Sequence, residues 1–148
     1  MSLEGVEAHA DLVGLMEQDG LLLLEVLGKA EGELSVLLVD DARIAELNAE
    51  WRGVDGPTDV LSFPQGEGEL LGDLVLSVDT AKRQGDARGH SLHTELRILM
   101  VHGLLHLMGY DHELDEEAHQ VMAKRESELI VRLGWEGAGL IERVCRPS

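Results

Sequence analysis

The stretch from Leu92 to Met108 does more than any other to limit what this chain can become. Leu96, Leu99, Gly103 and Leu107 return every three or four positions, the repeat of one helix face. No proline interrupts it, and Gly109 suits the position just past a helix end, where a left-handed backbone is wanted. A helix with an apolar stripe must lay that stripe on something, and three short runs offer a surface. Glu33 to Val39 (ELSVLLV), Asp59 to Phe63 (DVLSF) and Asp73 to Ser77 (DLVLS) are apolar and partly β-branched, so each is predicted as a strand. Pro64 is expected to stop the second strand, with Gln65 to Leu70 as the hairpin loop before the third.

The other helices are predicted in the same way. Gly20 to Lys29 groups Leu22, Leu23, Val26 and Leu27 on one side. Asp40 and Asp41 can open a helix that carries Ile44 and Leu47 and ends before Gly53. Asp55-Gly56-Pro57 marks a turn. Val78 to Gln84 reads as helical, Gly85 to Gly89 as a loop, and a last helix starts at Leu114 to Glu117 and runs to about Leu133. Strands and helices mix without a clean βαβ alternation. The expected fold class is therefore α+β: a single domain over residues 1–148, with a small mixed sheet flanked by helices and a tail loosely held from about Gly137.

At 148 residues and 44% hydrophobic, the chain can bury a core without disulfides or a structural metal. Any metal is then expected to serve function rather than folding. The one cysteine, Cys145, lies away from every motif and rules out an intramolecular disulfide. The N-terminal MSLEGVEAHADLV has no basic region before an apolar run, so no signal peptide is expected. Leu21 to Leu24 is too short to span a membrane. Together these features point to a reducing cytoplasm. The formal net charge of −17 argues against free nucleic acid as a partner, because such a surface repels phosphate at long range.

The chemistry is carried by VHGLLHLMGYDH. His102 and His106 are four residues apart on the predicted helix, so they project from one face, one turn apart. Gly109 then turns the chain, and His112 can supply a third imidazole. Three protein ligands leave one position open for water, the mark of a catalytic zinc site, although imidazoles also suit nickel, copper or iron. The expectation is a zincin-like three-histidine site holding one Zn2+. The order of histidines and glycine matches the metzincin protease motif, but Gly103 stands where that motif has its catalytic glutamate, and glycine cannot take a proton from bound water.

His102 to His112 (HGLLHLMGYDH) resembles the HGxLHLxGYDH signature of the YbeY family, bacterial endoribonucleases of rRNA maturation. LNAEWRGVDGPTDVLSFP (Leu47 to Pro64) is similar to the family's second motif, LGDLVLS (Leu71 to Ser77) to its third, and acidic residues follow the last histidine from Glu113 to Ala118. The resemblance covers roughly residues 33 to 136. It implies a mixed α/β fold, zinc on His102, His106 and His112, processing of the 16S 3′ end and removal of defective ribosomes. The implied enzyme is a single-strand-specific, metal-dependent endoribonuclease. Its partners would be ribosomal RNA, the small ribosomal subunit and that subunit's proteins, with no membrane and no DNA.

Other residues have assignable roles beside this motif. Arg52 can hold a phosphate bidentately and stabilise charge that grows during attack; a surface arginine at a helix end is the plainer reading, and the family motif favours the clamp. Arg52 and His102 are the catalytic candidates. Asp73 and Asp111 are candidates to accept the N–H of a zinc-bound imidazole, while Asp111 serves equally well as a turn cap. Glu95 reads as a solvated or salt-bridged glutamate. Thr58 and Asp59 organise a turn, and Ser62 is placed to line a cleft. Two functions remain open: a zinc endoribonuclease, and a ribosome assembly factor that acts mainly by binding. In the second, the acidic surface docks on basic ribosomal proteins, and a local rim of Lys82, Arg83 and Arg88 meets RNA. A metallopeptidase is disfavoured by Gly103 and by the lack of a Met-turn after His112.

Overall fold

Period-two alternation along the strands divides their side chains between two unequal cores. The computed structural model describes residues 2–5, 10–67, 70–111 and 113–140. It runs β1 (Ser2–Gly5), α1 (Ala10–Val26), β2 (Glu33–Val39), α2 (Asp41–Arg52), β3 (Val60–Glu67), β4 (Leu70–Ser77), α3 (Val78–Arg88), α4 (Leu92–Leu107) and α5 (Glu116–Arg132). One mixed sheet has the order β1-β2-β4-β3, with β3 antiparallel to β4 at one edge and the other pairs parallel. Leu34, Val36 and Leu38 of β2 and Leu74 and Leu76 of β4 face the larger core, shared with α1, α3, α4 and α5. Val39, Ile44, Leu61 and Val75 form the smaller one, under α2.

The fold class agrees with the α+β expectation, and the differences have physical causes. The sequence shows α4 as amphipathic, yet Ile98, Leu99, Met100 and Val101 are all buried in succession. Such a helix lies inside a protein rather than on it. Helix α1 starts ten residues before the predicted Gly20 and buries Met16, Leu23 and Leu24, while Leu21 and Leu22 stay exposed. Its register is fixed by a polar clamp: buried Asp19 accepts two bonds from Arg97 of α4, at 2.9 and 3.0 Å, and lies 2.5 Å from His93 Nε2. Arg97 also stacks over Trp135, 4.8 Å from the ring centroid.

Strand β3 continues through Pro64, because an edge strand can present a proline on its unpaired side. Strand β4 starts three residues before Asp73, which narrows the hairpin connection; Gly68 and Glu69 lie outside the described residues. Helix α3 runs through Gly85, which packs close to Glu95 Cγ, and ends at the Gly89 cap. Strand β1 was not predicted. Of the tail expected to be loose, residues 137–140 pack on the body, with Gly137 against Ile98 and Gly139 against Glu126; residues 141–148, Cys145 among them, lie outside the described residues. Among the described residues no helix is long and apolar enough to cross a membrane.

Candidate active site

The site forms where α4 crosses the edge of the sheet, and Gly103 sets how close that crossing is. A Cβ at Gly103 would stand 2.8 Å from Leu74 Cδ2 and 3.1 Å from Val60 Cγ2. Ser62 Oγ donates to the Gly103 carbonyl at 3.3 Å, joining the helix to β3. The missing metalloprotease glutamate thus has a packing reason: this position points at the sheet. A glutamate here would be driven into Leu74 and Val60.

His102 and His106 stand beside this contact and open on a cleft of about 340 Å3. Their rings meet edge to face, with centroids 4.8 Å apart and planes at 74°. Across the cleft lie Arg52, Thr58, Asp59 and Ser62, with Glu113 at its rim. Arg52 is there because α2 ends on it: Asp40 caps the helix start, and Gly53, with φ 67°, turns the chain at its end. Asn48 Nδ2 then donates to the Gly56 carbonyl at 3.0 Å and holds the following loop against α2. Asp59 accepts from the Val60 N–H at 2.8 Å, and its other oxygen from Gln84 at 3.3 Å, which fits the turn-organising role expected of it.

His102 Nδ1 lies 2.5 Å from Glu126 Oε2. Glu126 sits on α5, is 1% exposed, and was missed in the sequence reading. A carboxylate accepts, so Nδ1 carries the proton and the nitrogen that can serve an ion is Nε2. This is the carboxylate role for which Asp73 and Asp111 were candidates. Asp73 faces the α2 side of β4 and accepts from Gln65 at 3.3 Å, so the sheet stands between it and the histidines. Asp111 accepts from the Glu113 N–H at 2.9 Å, which is its alternative reading as a turn cap. Only the spacing of α5 could have pointed to Glu126, since Met122, Glu126, Leu129 and Ile130 fall on one buried face.

Glu95, read as a solvated or salt-bridged glutamate, is fully buried and so not solvated. Of the expected basic rim, Lys82 of α3 pairs with Asp86 at 3.2 Å and Arg83 of α3 with Asp41 at 2.8 Å, and neither lines the cleft; Arg88 ends that helix. Burial pushes the Asp41 carboxyl up, but hydrogen bonds from Ser77, Thr80 and Arg83 and the Arg83 charge outweigh it and hold it below the usual carboxylate value. His112 lies outside the described residues, and among the described residues no group of three His, Cys, Asp or Glu is placed to hold a metal ion. His102 and His106 fit zinc as far as they go: two imidazoles on one helix face, one of them oriented by a buried carboxylate.

A family profile described as Endoribonuclease YbeY matches residues 16–134. The chain belongs to the YbeY family. An Endoribonuclease YbeY of Pelotomaculum thermopropionicum is 46% identical over 143 residues, covering 89% of this chain and 93% of that one. The chloroplastic Endoribonuclease YBEY of Arabidopsis thaliana is 54% identical over 116 residues, 74% of this chain. The chain spans about a fifth of that plant protein's length, and 64% of a relative from Anaeromyxobacter that is 50% identical over 123 residues. The solution structure of TM1509 from Thermotoga maritima superposes with a TM-score of 0.61 at 26% identity, covering 90% of this chain and 91% of the other. The YbeY match begins at Met16, inside α1, earlier than the motif resemblance near residue 33, because α1 contributes packing rather than motif residues.

Proposed function

We propose that this chain is a zinc-dependent endoribonuclease that cuts single-stranded RNA, acting in the cytoplasm on the 16S 3′ end and in ribosome quality control. The YbeY names of its relatives support an endoribonuclease. The observation that carries the reading here is that Arg52, from α2, opens on the same cleft as His102 and His106, from α4. A guanidinium facing two imidazoles suits a phosphodiester, whose charge Arg52 holds in the plane of its fork.

His102, His106 and His112 would hold the zinc, which supplies a Lewis acid for the phosphoryl oxygen and lowers the pKa of bound water. Glu126 fixes the His102 ring and keeps its proton on Nδ1. Ser62 is tied to the α4 backbone and keeps the cleft wall in place. The attacking group is water or the RNA 2′-OH. Single-stranded RNA cleaved by the metal-loaded protein decides between them: a 2′,3′-cyclic phosphate identifies the 2′-OH, and a 5′-phosphate identifies water. No cleavage of RNA, free or in assembled small subunits, would overturn the proposal.

The second reading, an assembly factor acting mainly by binding to the small subunit and its proteins, draws on the net charge of −17. A His106→Ala variant that no longer cuts RNA yet still restores ribosome assembly would establish it.

A further inference from the structure

The side of the sheet away from the histidines carries an exposed tryptophan, Trp51, beside Phe63, which packs on the smaller core. Phe, Tyr and Trp together number four in this chain, and Trp51 and Phe63 lie against each other on this side, centroids 6.3 Å apart and planes at 73°. Trp51 is 65% exposed, whereas the other tryptophan, Trp135, is 9% exposed. The two rings border a cleft of about 480 Å3, within the ~300–1,000 Å3 range of small-ligand clefts. Its wall mixes apolar Leu37 and Leu47 with Arg43, Gln65 and Asp73. An apolar floor with donors and acceptors at the edge matches a flat heteroaromatic ring with polar edges better than it matches an aliphatic protein surface.

This cleft and the histidine cleft lie on opposite faces of the sheet and share its edge strand, β3. Trp51 and Arg52 are consecutive residues of α2, one bordering each cleft, and β3 contributes Leu61 and Ser62 to one and Phe63 to the other. An RNA strand whose phosphate sits on Arg52 and that passes over the β3 edge would bring a neighbouring base to Trp51. We infer that Trp51 and Phe63 form a base-stacking platform for the single-stranded RNA whose phosphate Arg52 holds, an inference that rests on the proposed ribonuclease function. Every base has a π-face, so this platform grips unpaired RNA with little sequence preference, and a duplex, whose bases are already stacked, cannot use it. It also supplies affinity that does not depend on charge, which an acidic protein needs when its substrate is a polyanion.

The test uses the full chain, metal-loaded, with a single-stranded RNA of about ten nucleotides. Emission from Trp51 is read as the difference between wild type and Trp51→Phe, since Trp135 is common to both. RNA should quench that emission, and an abasic nucleotide beside the bound phosphate should abolish the quench. Trp51→Ala should weaken RNA binding between about 5-fold and 100-fold, the range one stacked base supplies, and Trp51→Phe much less. Cleavage by Trp51→Ala should suffer through KM with kcat little changed. If Trp51→Ala binds and cuts RNA as the wild type does, with no quench in the wild type, the platform is overturned and the ribonuclease reading stands. If RNA quenches Trp51 but is never cut, the platform stands and the ribonuclease reading fails. A Trp51→Ala variant that cuts normally but loses binding to ribosomal proteins would assign the surface to a protein and overturn the inference.

Discussion

The two faces of the sheet are built to different standards. On the α4 side, Leu74 and Leu76 are sealed beneath a helix buried nearly all round, and three further helices close over it. On the α2 side, four buried residues make the whole core, and Phe63 and Trp51 reach the surface. His102 and His106 ride on the first face, where a dense core fixes their backbone. Arg52 and Trp51 ride on the end of a helix on the second. Rigid placement of the imidazoles thus comes from the thick side, and the exposed groups that border both clefts come from the thin side.

Gly103→Glu should do the largest damage. It forces a charged side chain into Leu74 and Val60 and should cost on the order of 4 kcal/mol or more, read by chemical denaturation. Wild-type stability in this variant would mean that α4 does not press on the sheet. Next come paired truncations. Leu99→Ala on the thick side should cost about 3–5 kcal/mol, against about 1–2 kcal/mol for half-buried Leu47→Ala on the thin side. Equal losses would erase the contrast between the faces.

Much of this division was legible in the sequence. Helix α2 is placed between Asp40 and Gly53, and β2 over Glu33 to Val39, because caps and apolar, β-branched runs are local signals. His102 and His106 were paired by their spacing alone. What stayed hidden depends on contacts distant in sequence. Helix α1 is tied to α4 by Asp19 meeting Arg97, 78 residues away. The tolerance of Pro64 follows from β3 being an edge, which no local pattern reports. Glu126 reaches His102 across 24 residues and a helix crossing, and Asp73, close to the right motif, turned out to face the wrong side of a strand.

Glu126 sharpens the comparison at intermediate scale. Glu126→Ala should destabilise the fold by about 1–3 kcal/mol, because it strands a buried imidazole donor. It should also weaken zinc binding about 10- to 100-fold, measured by competition with a chelator. Asp73→Ala, on the other face, should leave zinc affinity where it was. The smallest effect belongs to Asp41, which joins α2 to α3. Its folded pKa lies below its ordinary value of 3.8, so its contribution to stability is complete above that value and is lost as pH falls through the lower folded one. The stability gap between wild type and Asp41→Asn should therefore be constant near neutrality and close in acid. A gap that instead closes toward alkaline pH would contradict the assigned bonds.

The central claim is that the cleft between α4 and β3 is where RNA is cut, with Arg52 on the phosphate. Its most direct test is the rate of single-stranded RNA cleavage by Arg52→Ala, with zinc content and melting temperature measured on the same preparation. The rate should fall about 100-fold or more, as it does when one donor to transition-state charge is removed. Zinc content and melting temperature should match the wild type, and Arg52→Lys should recover only part of the rate. Cleavage at the wild-type rate by Arg52→Ala would contradict the account.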